Sequence, residues 1–327
     1  MPQDLPIQDI DSMTAPLADP LPDDIDTEQI TRAAWLYYND GLTQNRIADM
    51  LGTSRIKVSR LLEKGRRSGL IELRINSPYD GCITLQRELV SAFGLIDARV
   101  VPEAPDLPAP PRIGRAAASF LMQKLAPNDL LGVGWGEASS ITVRYMAPVF
   151  PKSNISVVSL TGGVSAYIGD TFLYGPRGNA HLIPTPLKVS TPELAEMLRQ
   201  EPYVRHVLDI ATTARMALIG VGAMARSATL VRYGYCSQAE IELFARRGAV
   251  GDVLGYFYDE NGQILDLDLH RHVVALRPEE LRKIPNVAAA AAGATKVPSI
   301  LGLLRGKLAN ILITDETTAR ELLRRAR

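Results

Sequence analysis

Between Leu42 and Ile75 the chain reads LTQNRIADMLGTSRIKVSRLLEKGRRSGLIELRI. Eight of these residues are basic: Arg46, Arg55, Lys57, Arg60, Lys64, Arg66, Arg67 and Arg74. Only Asp49, Glu63 and Glu72 oppose them, a local excess of five positive charges in a chain whose formal net charge is zero. Ser54, Arg55, Lys57, Ser59 and Arg60 fall on the polar face of one predicted helix. Guanidinium, ammonium and hydroxyl donors at this density suit phosphate oxygens and the base edges of a major groove. The elements that must hold them are legible in the same stretch. Ala48 is small enough to let two helices cross closely, Gly52 supplies the positive φ of the turn between them, and Val58 packs the second helix on the first. Apolar Ile47, Leu51, Leu61 and Leu62 surround that contact. The pattern is a helix-turn-helix running into a β-wing, and the partner it implies is duplex DNA.

Periodicity and caps bound this module. A first helix is predicted over Glu28–Asn39, ended by Gly41, with Ile30, Ala33, Ala34 and Tyr37 as its apolar stripe. The second runs over Thr43–Leu51 with Thr43 as N-cap. The third runs over Ser54–Ser68 with Ser54 as N-cap and Gly69 as stop. Leu70–Ile75 alternates as a wing strand, and Pro78–Gly81 marks a boundary. Trp35, Tyr37 and Tyr38 fit a core or a dimer face. One such module covers a half-site, so at least a dimer is expected. Residues 1–28 carry Asp4, Asp9, Asp11, Asp19, Asp23, Asp24, Asp26 and Glu28 without one Lys or Arg. Residues 1–27 therefore read as a disordered acidic tail.

From about Ile83 the pattern changes to alternation. Apolar runs at Ala98–Val101, Leu130–Val133, Ile155–Leu160, Met216–Val221, Val287–Ala291 and Ile311–Ile313 read as strands. Helical patterns intervene at Gly114–Leu125, Ser139–Met146, Pro192–Arg199, Tyr203–Ala211, Ser237–Arg246, Pro298–Leu304 and Thr317–Arg325. Such alternation implies a mainly parallel sheet covered on both faces, with ligands bound beyond the carboxyl ends of the strands. The Ala-rich 288–292 stretch reads as a buried strand or a close packing surface.

Four places at those strand ends have chemistry to offer. Gly132-Val133-Gly134-Trp135-Gly136 follows a strand and opens a helix. Its G-x-G-x-G spacing and the lack of an acidic partner depart from a dinucleotide fingerprint, so no cofactor is expected. Its glycines fit either backbone contact to an anion or a tight strand-to-helix turn. Ser159–Ser165 (SLTGGVS) combines hydroxyls with two glycines, a donor nest for phosphate or polyol, or a plain turn. Asp252 precedes the segment YFYDENGQILD, read as a hairpin turning at Asn261-Gly262. Its two oxygens suit a pair of sugar hydroxyls, or it forms a turn. Lys296, at the start of a predicted helix, opposes the helix dipole, which a bound anion would explain. His270 and His272 alternate on an expected strand without a third ligand, so no metal site is expected, and His181 and His206 read as structural.

Composition narrows the class. A chain of 327 residues suggests two domains. Cys82 and Cys236 match no metal spacing, and a reduced, cytoplasmic protein is the natural reading. The acidic, Pro-rich start is not a signal peptide. The longest apolar run, Val287–Leu304, is broken by Lys296 and Pro298, so no membrane span is expected.

Taken together, AAWLYYNDGLTQNRIADMLGTSRIKVSRLLEKGRRSGLIELRI, LGVGWG, SLTGGVS, ALIGVG, AVGDVLGYFYDENG and KVPSILGLLRGKLANILITDETTARELL carry a resemblance to a known family. Over residues 28–327 the chain resembles the SorC family of bacterial transcriptional regulators, also described as DeoR-like regulators with a sugar-binding domain. The resemblance implies an α/β protein. An N-terminal all-α winged helix-turn-helix domain (28–78) would be followed by a Rossmann-like, phosphosugar-isomerase-like effector domain with a mainly parallel sheet (83–327). It implies a regulator, not an enzyme, that responds to a small sugar, polyol or sugar phosphate and controls a carbohydrate catabolic operon. It also implies a homo-oligomer, a tetramer, on a palindromic operator. DNA would be met by Thr43, Gln44, Ser54, Arg55, Lys57, Ser59, Arg60, Lys64 and Arg67. The effector would be met by Gly134, Gly136, Thr161, Gly162, Gly163, Asp252 and Lys296. Several relatives carry a basic residue where this chain has Thr161, and Thr161 offers neither charge nor amine. The alternatives are an isomerase-like enzyme fused to the DNA-binding module, and a DNA-binding oligomerisation protein with a degenerate pocket.

Overall fold

The computed structural model describes residues 22–73, 77, 79–104, 106–163 and 180–326, with side chains from Asp26 onward. Contacts divide the chain into two compact units that meet in sequence at Asn76 and Ser77. Residues 1–21 of the expected tail, Arg74 and Ile75 of the expected wing, Pro78 and Ser165 lie outside the described residues.

The first unit is a three-helix cluster. α1 spans Pro22–Ala34 and continues as one π turn over Trp35–Asn39. Its start lies six residues before the expected Glu28. Proline is tolerated at a first helical position, and the acids that read as disorder also favour the positive end of a helix dipole. α2 (Gln44–Met50) is capped by Thr43, whose hydroxyl accepts from the Arg46 N–H at 3.3 Å. α3 (Arg55–Arg67) is capped by Ser54, which accepts from the Lys57 N–H at 3.2 Å. Gly52 turns between them at φ +61°. Ile30, Ala33, Ile47, Ala48, Val58, Leu61 and Leu62 form the buried core. Gly65 closes it, because a Cβ there would lie 2.6 Å from both Ile30 Cγ2 and Ile71 Cδ1. Leu70–Leu73, the described part of the expected wing strand, is not in a strand.

The second unit is built on a parallel sheet. Its strands are β1 (Asp97–Val101), β2 (Leu130–Val133), β3 (Ser156–Ser159), β4 (Ala180–His181), β5 (Met216–Ile219), β9 (Val287–Ala290) and β10 (Ile311–Asp315). They lie in the order β1-β10-β9-β5-β2-β3-β4, every neighbouring pair parallel. β6 (Gly222–Ala223), β7 (Gly251–Val253) and β8 (Tyr256–Tyr258) form a small antiparallel sheet. Strand alternation feeds two cores. Leu131, Val133, Met216, Leu218, Ala288 and Ala290 face α5 (Ala109–Lys124) and α6 (Glu137–Met146). Ala217, Ile219, Ala289 and Leu312 face the opposite layer. The Ala-rich stretch is thus the buried interior strand β9, where small side chains fit between two covered faces.

Two expectations change, and one hairpin is added. The boundary at Pro78–Gly81 runs into α4 (Asp80–Phe93), which buries Cys82, Leu85 and Leu89 at helical spacing and ends on Gly94 at φ +63°. A second tight hairpin turn, not expected from the sequence, is Leu254-Gly255, at φ +54° and +87°. Both positive values suit a twisted two-residue hairpin, although leucine there is strained. The expected turn at Asn261-Gly262 is also present: Gly262 adopts φ +74°, the chain returns through the antiparallel bridge of Tyr258 to Ile264, and Asp259 Oδ1 accepts from the N–H groups of Asn261 and Gln263. His270 and His272 lie on a 3-10 turn, Asp268–His272, not on a strand. His270 Nε2 accepts from the Phe257 N–H at 2.8 Å, and burial pushes its pKa down to about 4, so the ring is neutral and structural.

Leu62 is 1% exposed at the centre of the first unit. Leu62→Ala is expected to cost that unit about 2–5 kcal/mol. Urea titration should show an early transition and lost duplex binding, while the α/β signature of the second unit persists.

Candidate functional site

The carboxyl edge of the sheet holds a cavity of about 230 Å³ at the ends of β2, β5 and β9. The chain travels outward from β2 to β3 and β4, then returns to place β5 on the other side of β2. This reversal opens a crevice between diverging connections, where open α/β sheets bind ligands. The β2 and β5 ends come so close that both need glycine. A Cβ on Gly220 would lie 2.6 Å from the Trp135 carbonyl, and one on Gly136 3.1 Å from Gly220 Cα. Gly136 also adopts φ +144° as it opens α6.

A buried carboxyl and a half-buried ammonium face this cavity. Asp252, 6% exposed on β7, projects its carboxylate over Gly222, where a Cβ would stand 1.7 Å from Oδ1. Burial raises the Asp252 pKa from 3.8 to about 6, against the Gly255 N–H and the Lys296 charge, which favour the carboxylate. Lys296 closes the 3-10 turn Ala294–Lys296 ahead of helix Val297–Arg305. Its Nζ donates to the Val221 carbonyl at 3.0 Å. Burial lowers its pKa, while Asp252 and Glu137 act to keep the ammonium charged. A buried carboxylate near a half-buried ammonium, with small apolar walls from Ala290–Ala292, can accept from hydroxyls at one end and donate at the other. At the rim, Glu137 pairs with Arg232 at 3.7 Å, both about half exposed. Trp135 forms a wall and meets the rings of Tyr233 and Tyr235 edge-on at 5.5 and 5.0 Å.

The expected effector residues divide. Gly136, Asp252 and Lys296 line the cavity together. Gly134 lies behind it: its N–H donates to the Leu218 carbonyl at 2.8 Å, and a Cβ would meet Leu254 Cδ2 at 2.7 Å. Thr161, Gly162 and Gly163 are not in its lining. The Gly162 and Gly163 N–H groups donate to the carbonyls of Val274 and Thr185 at 2.8 and 2.7 Å, so the expected donor nest is occupied by backbone. The Thr161 hydroxyl is buried without a partner among the described residues. Sequence reasoning passed over Trp135, Glu137, Arg232 and the Gly220–Gly222 turn. Gly220-Val221-Gly222 after an apolar strand was the available signal, of the same form as Gly134-Trp135-Gly136.

On the first unit, α3 turns Arg55, Ile56, Lys57, Ser59 and Arg60 outward in its first turns. Thr43 is exposed and Gln44 half-buried at the start of α2. Further along α3, Lys64 Nζ donates to Asp26 Oδ2 and Arg67 to Glu63 Oε1, each at 2.5 Å. Among the described residues no helix is long and apolar enough to cross a membrane.

A helix-turn-helix carried with a Rossmann-like ligand domain defines a ligand-responsive DNA-binding protein. Comparison with known proteins agrees. Residues 77–324 match the family described as "Putative sugar-binding domain", and residues 31–88 match the Crp-like helix-turn-helix domain, leaving 1–30 outside both. Transcriptional regulator LsrR of Klebsiella pneumoniae subsp. pneumoniae is 44% identical over 299 residues, 90% of this chain and 93% of the relative. LsrR of Escherichia coli K12 is 39% identical over 300 residues, 91% of this chain and 95% of the relative. The crystal structure of the full-length sorbitol operon regulator SorC from Klebsiella pneumoniae superposes with TM-score 0.66 at 26% identity, covering 91% of this chain and 99% of that one. The chain belongs to the sugar-binding-domain family of SorC/DeoR-like transcriptional regulators. It is a sugar-responsive, DNA-binding regulator, and the relatives named here are regulators.

The buried carboxylate has a measurable consequence. Unfolded, Asp252 titrates near 3.8; folded, near 6. The folded chain therefore holds this proton more tightly, and stability falls as pH rises between those values and stays lowered above them. At about 1.4 kcal/mol per pH unit the loss is about 3 kcal/mol. In urea unfolding, Asp252→Asn should show a smaller loss of stability than the unaltered chain between pH 4 and 7.

Proposed function

We propose that this protein is a cytoplasmic regulator of a carbohydrate catabolic operon whose effector, a small sugar, polyol or sugar phosphate, lodges between Asp252 and Lys296. The observation that carries this reading is the cavity at the β2/β5 reversal with the buried Asp252 and the half-buried Lys296 in its wall. Asp252 accepts from a pair of hydroxyls. Lys296 and the first N–H groups of α6, beyond Gly136, receive the electronegative end. Gly134 supports the wall through Leu254. Of Thr161, Gly162 and Gly163 at the β3 end, the Thr161 hydroxyl is the group left to donate, and Gly162 and Gly163 serve by holding that loop through their backbone bonds. An uncharged Thr161 fits a neutral hydroxyl better than a phosphate there.

The domain reading follows the contact division: residues 28–78, extended back by the start of α1, bind DNA, and 83–327 bind the effector. Arg55, Lys57, Ser59 and Arg60 enter the major groove. Thr43, Gln44, Ser54, Lys64 and Arg67 meet the backbone, and the exposed Ile56 is placed for a thymine methyl. A single module spans one half-site, which favours a homo-oligomer, a tetramer, on a palindromic operator. Effector binding changes operator affinity through typically about 1–3 kcal/mol of coupling.

Calorimetry with sugars, polyols and their phosphates, followed by gel shift with and without the best ligand, tests the assignment. Asp252→Ala should lower effector affinity roughly 10–100-fold, the loss of a charge-assisted hydrogen-bond set. Retained affinity in that variant would move the site elsewhere. Arg55→Ala or Lys57→Ala should cost about 1–3 kcal/mol of operator discrimination in a folded protein; footprints identical to the unaltered chain would remove both from the groove.

A further inference from the structure

On α3, Lys57, Arg60, Lys64 and Arg67 recur at spacings of three, four and three, which sets them in one cationic stripe along the helix. The stripe is already in contact with an acid from another element. Asp26, in the second turn of α1, accepts from Lys64 Nζ at 2.5 Å, and the Lys57 charge acts on the same carboxylate. Chain order puts Asp4, Asp9, Asp11, Asp19, Asp23 and Asp24 upstream of that contact, with no Lys or Arg among residues 1–28.

We infer that the acidic segment 1–26 is an internal competitor for DNA phosphate, docking along the α3 stripe with the Asp26–Lys64 pair as its anchored end. The inference rests on the reading of α3 as the DNA-facing helix. Charge matches: residues 1–26 hold seven carboxylates, and α2 and α3 with their caps hold Arg46, Arg55, Lys57, Arg60, Lys64, Arg66 and Arg67. Reach is ample, since a chain of 21 residues can span at most roughly 70 Å, against about 20 Å for a helix of α3's length. Exposed ion pairs are individually weak. Tethering replaces strength, because a short linker holds the acids near the stripe at an effective concentration of about millimolar. DNA must displace them, and each α3 cation already neutralised releases fewer counterions on binding.

The test uses the full chain and a mixed-sequence duplex of about 40 base pairs, a length that covers several contacts per molecule and reads the nonspecific electrostatic term. In one variant Asp4, Asp9, Asp11 and Asp19 become Asn, which leaves α1 untouched; in a second, Asp26→Asn is added. Duplex affinity in 50 mM salt should rise in the first variant and rise further, to about tenfold, in the second, the gain fading toward 300 mM as screening removes the competitor. Lys64→Ala should remove the increment due to Asp26→Asn. Helix content by circular dichroism should stay constant throughout. Equal affinities and equal salt slopes in all three proteins overturn the inference while leaving DNA binding intact. Failure of all three to bind any duplex overturns the DNA-facing reading and the inference with it.

Discussion

The functional half of this molecule depends on how closely two strand ends approach each other. Where β2 and β5 finish, the Trp135 carbonyl and Gly220 leave no room for a Cβ, and Gly222 yields its side-chain volume to the Asp252 carboxylate. The crevice is therefore made by absent side chains. A carboxylate placed over backbone in this way is stripped of water, which is why its proton is held so far above the usual carboxylate range. Lys296 limits the cost by supplying a nearby positive charge, although its own hydrogen bond goes to the Val221 carbonyl.

The DNA-facing helix follows the opposite logic. Its cations stand in water, and its organisation comes from the buried face. Val58, Leu61, Leu62 and Gly65 set the rotation of α3, and that rotation alone puts Arg55, Lys57, Ser59 and Arg60 outside. Screening weakens such charges in the free protein, yet they remain available to a dense line of phosphates. The cavity pair answers to shape and dehydration, whereas the exposed stripe answers to ionic strength.

The helix-turn-helix was legible because its determinants are local. Thr43 and Ser54 cap the helices they precede, and Gly52 turns where a left-handed residue is required. The parallel sheet was equally legible, since strands buried on both faces are continuous apolar runs. Two features escaped the sequence for a shared reason. The turn at Asn261-Gly262 formed as expected, but the tighter hairpin at Leu254-Gly255 went unread because leucine does not favour positive φ. There the leucine packs against Gly134 and lines the cavity, and tertiary contact overrides local preference. His270 and His272 alternate like strand residues yet lie on a 3-10 turn, held by the Phe257 N–H and the Val189 carbonyl.

By itself the amino-acid order determined the helices of the first unit, the interior parallel strands, the charged face of α3, and Asp252 and Lys296 as candidates. Each of these follows from neighbours within a few positions. Only the tertiary structure decided which candidates meet. Gly136, Asp252 and Lys296 converge from separate strand ends, whereas the N–H groups of Gly162 and Gly163 go to Val274 and Thr185, residues distant in the chain. A donor's freedom depends on every carbonyl that can reach it, and that inventory exists only once the chain has closed on itself.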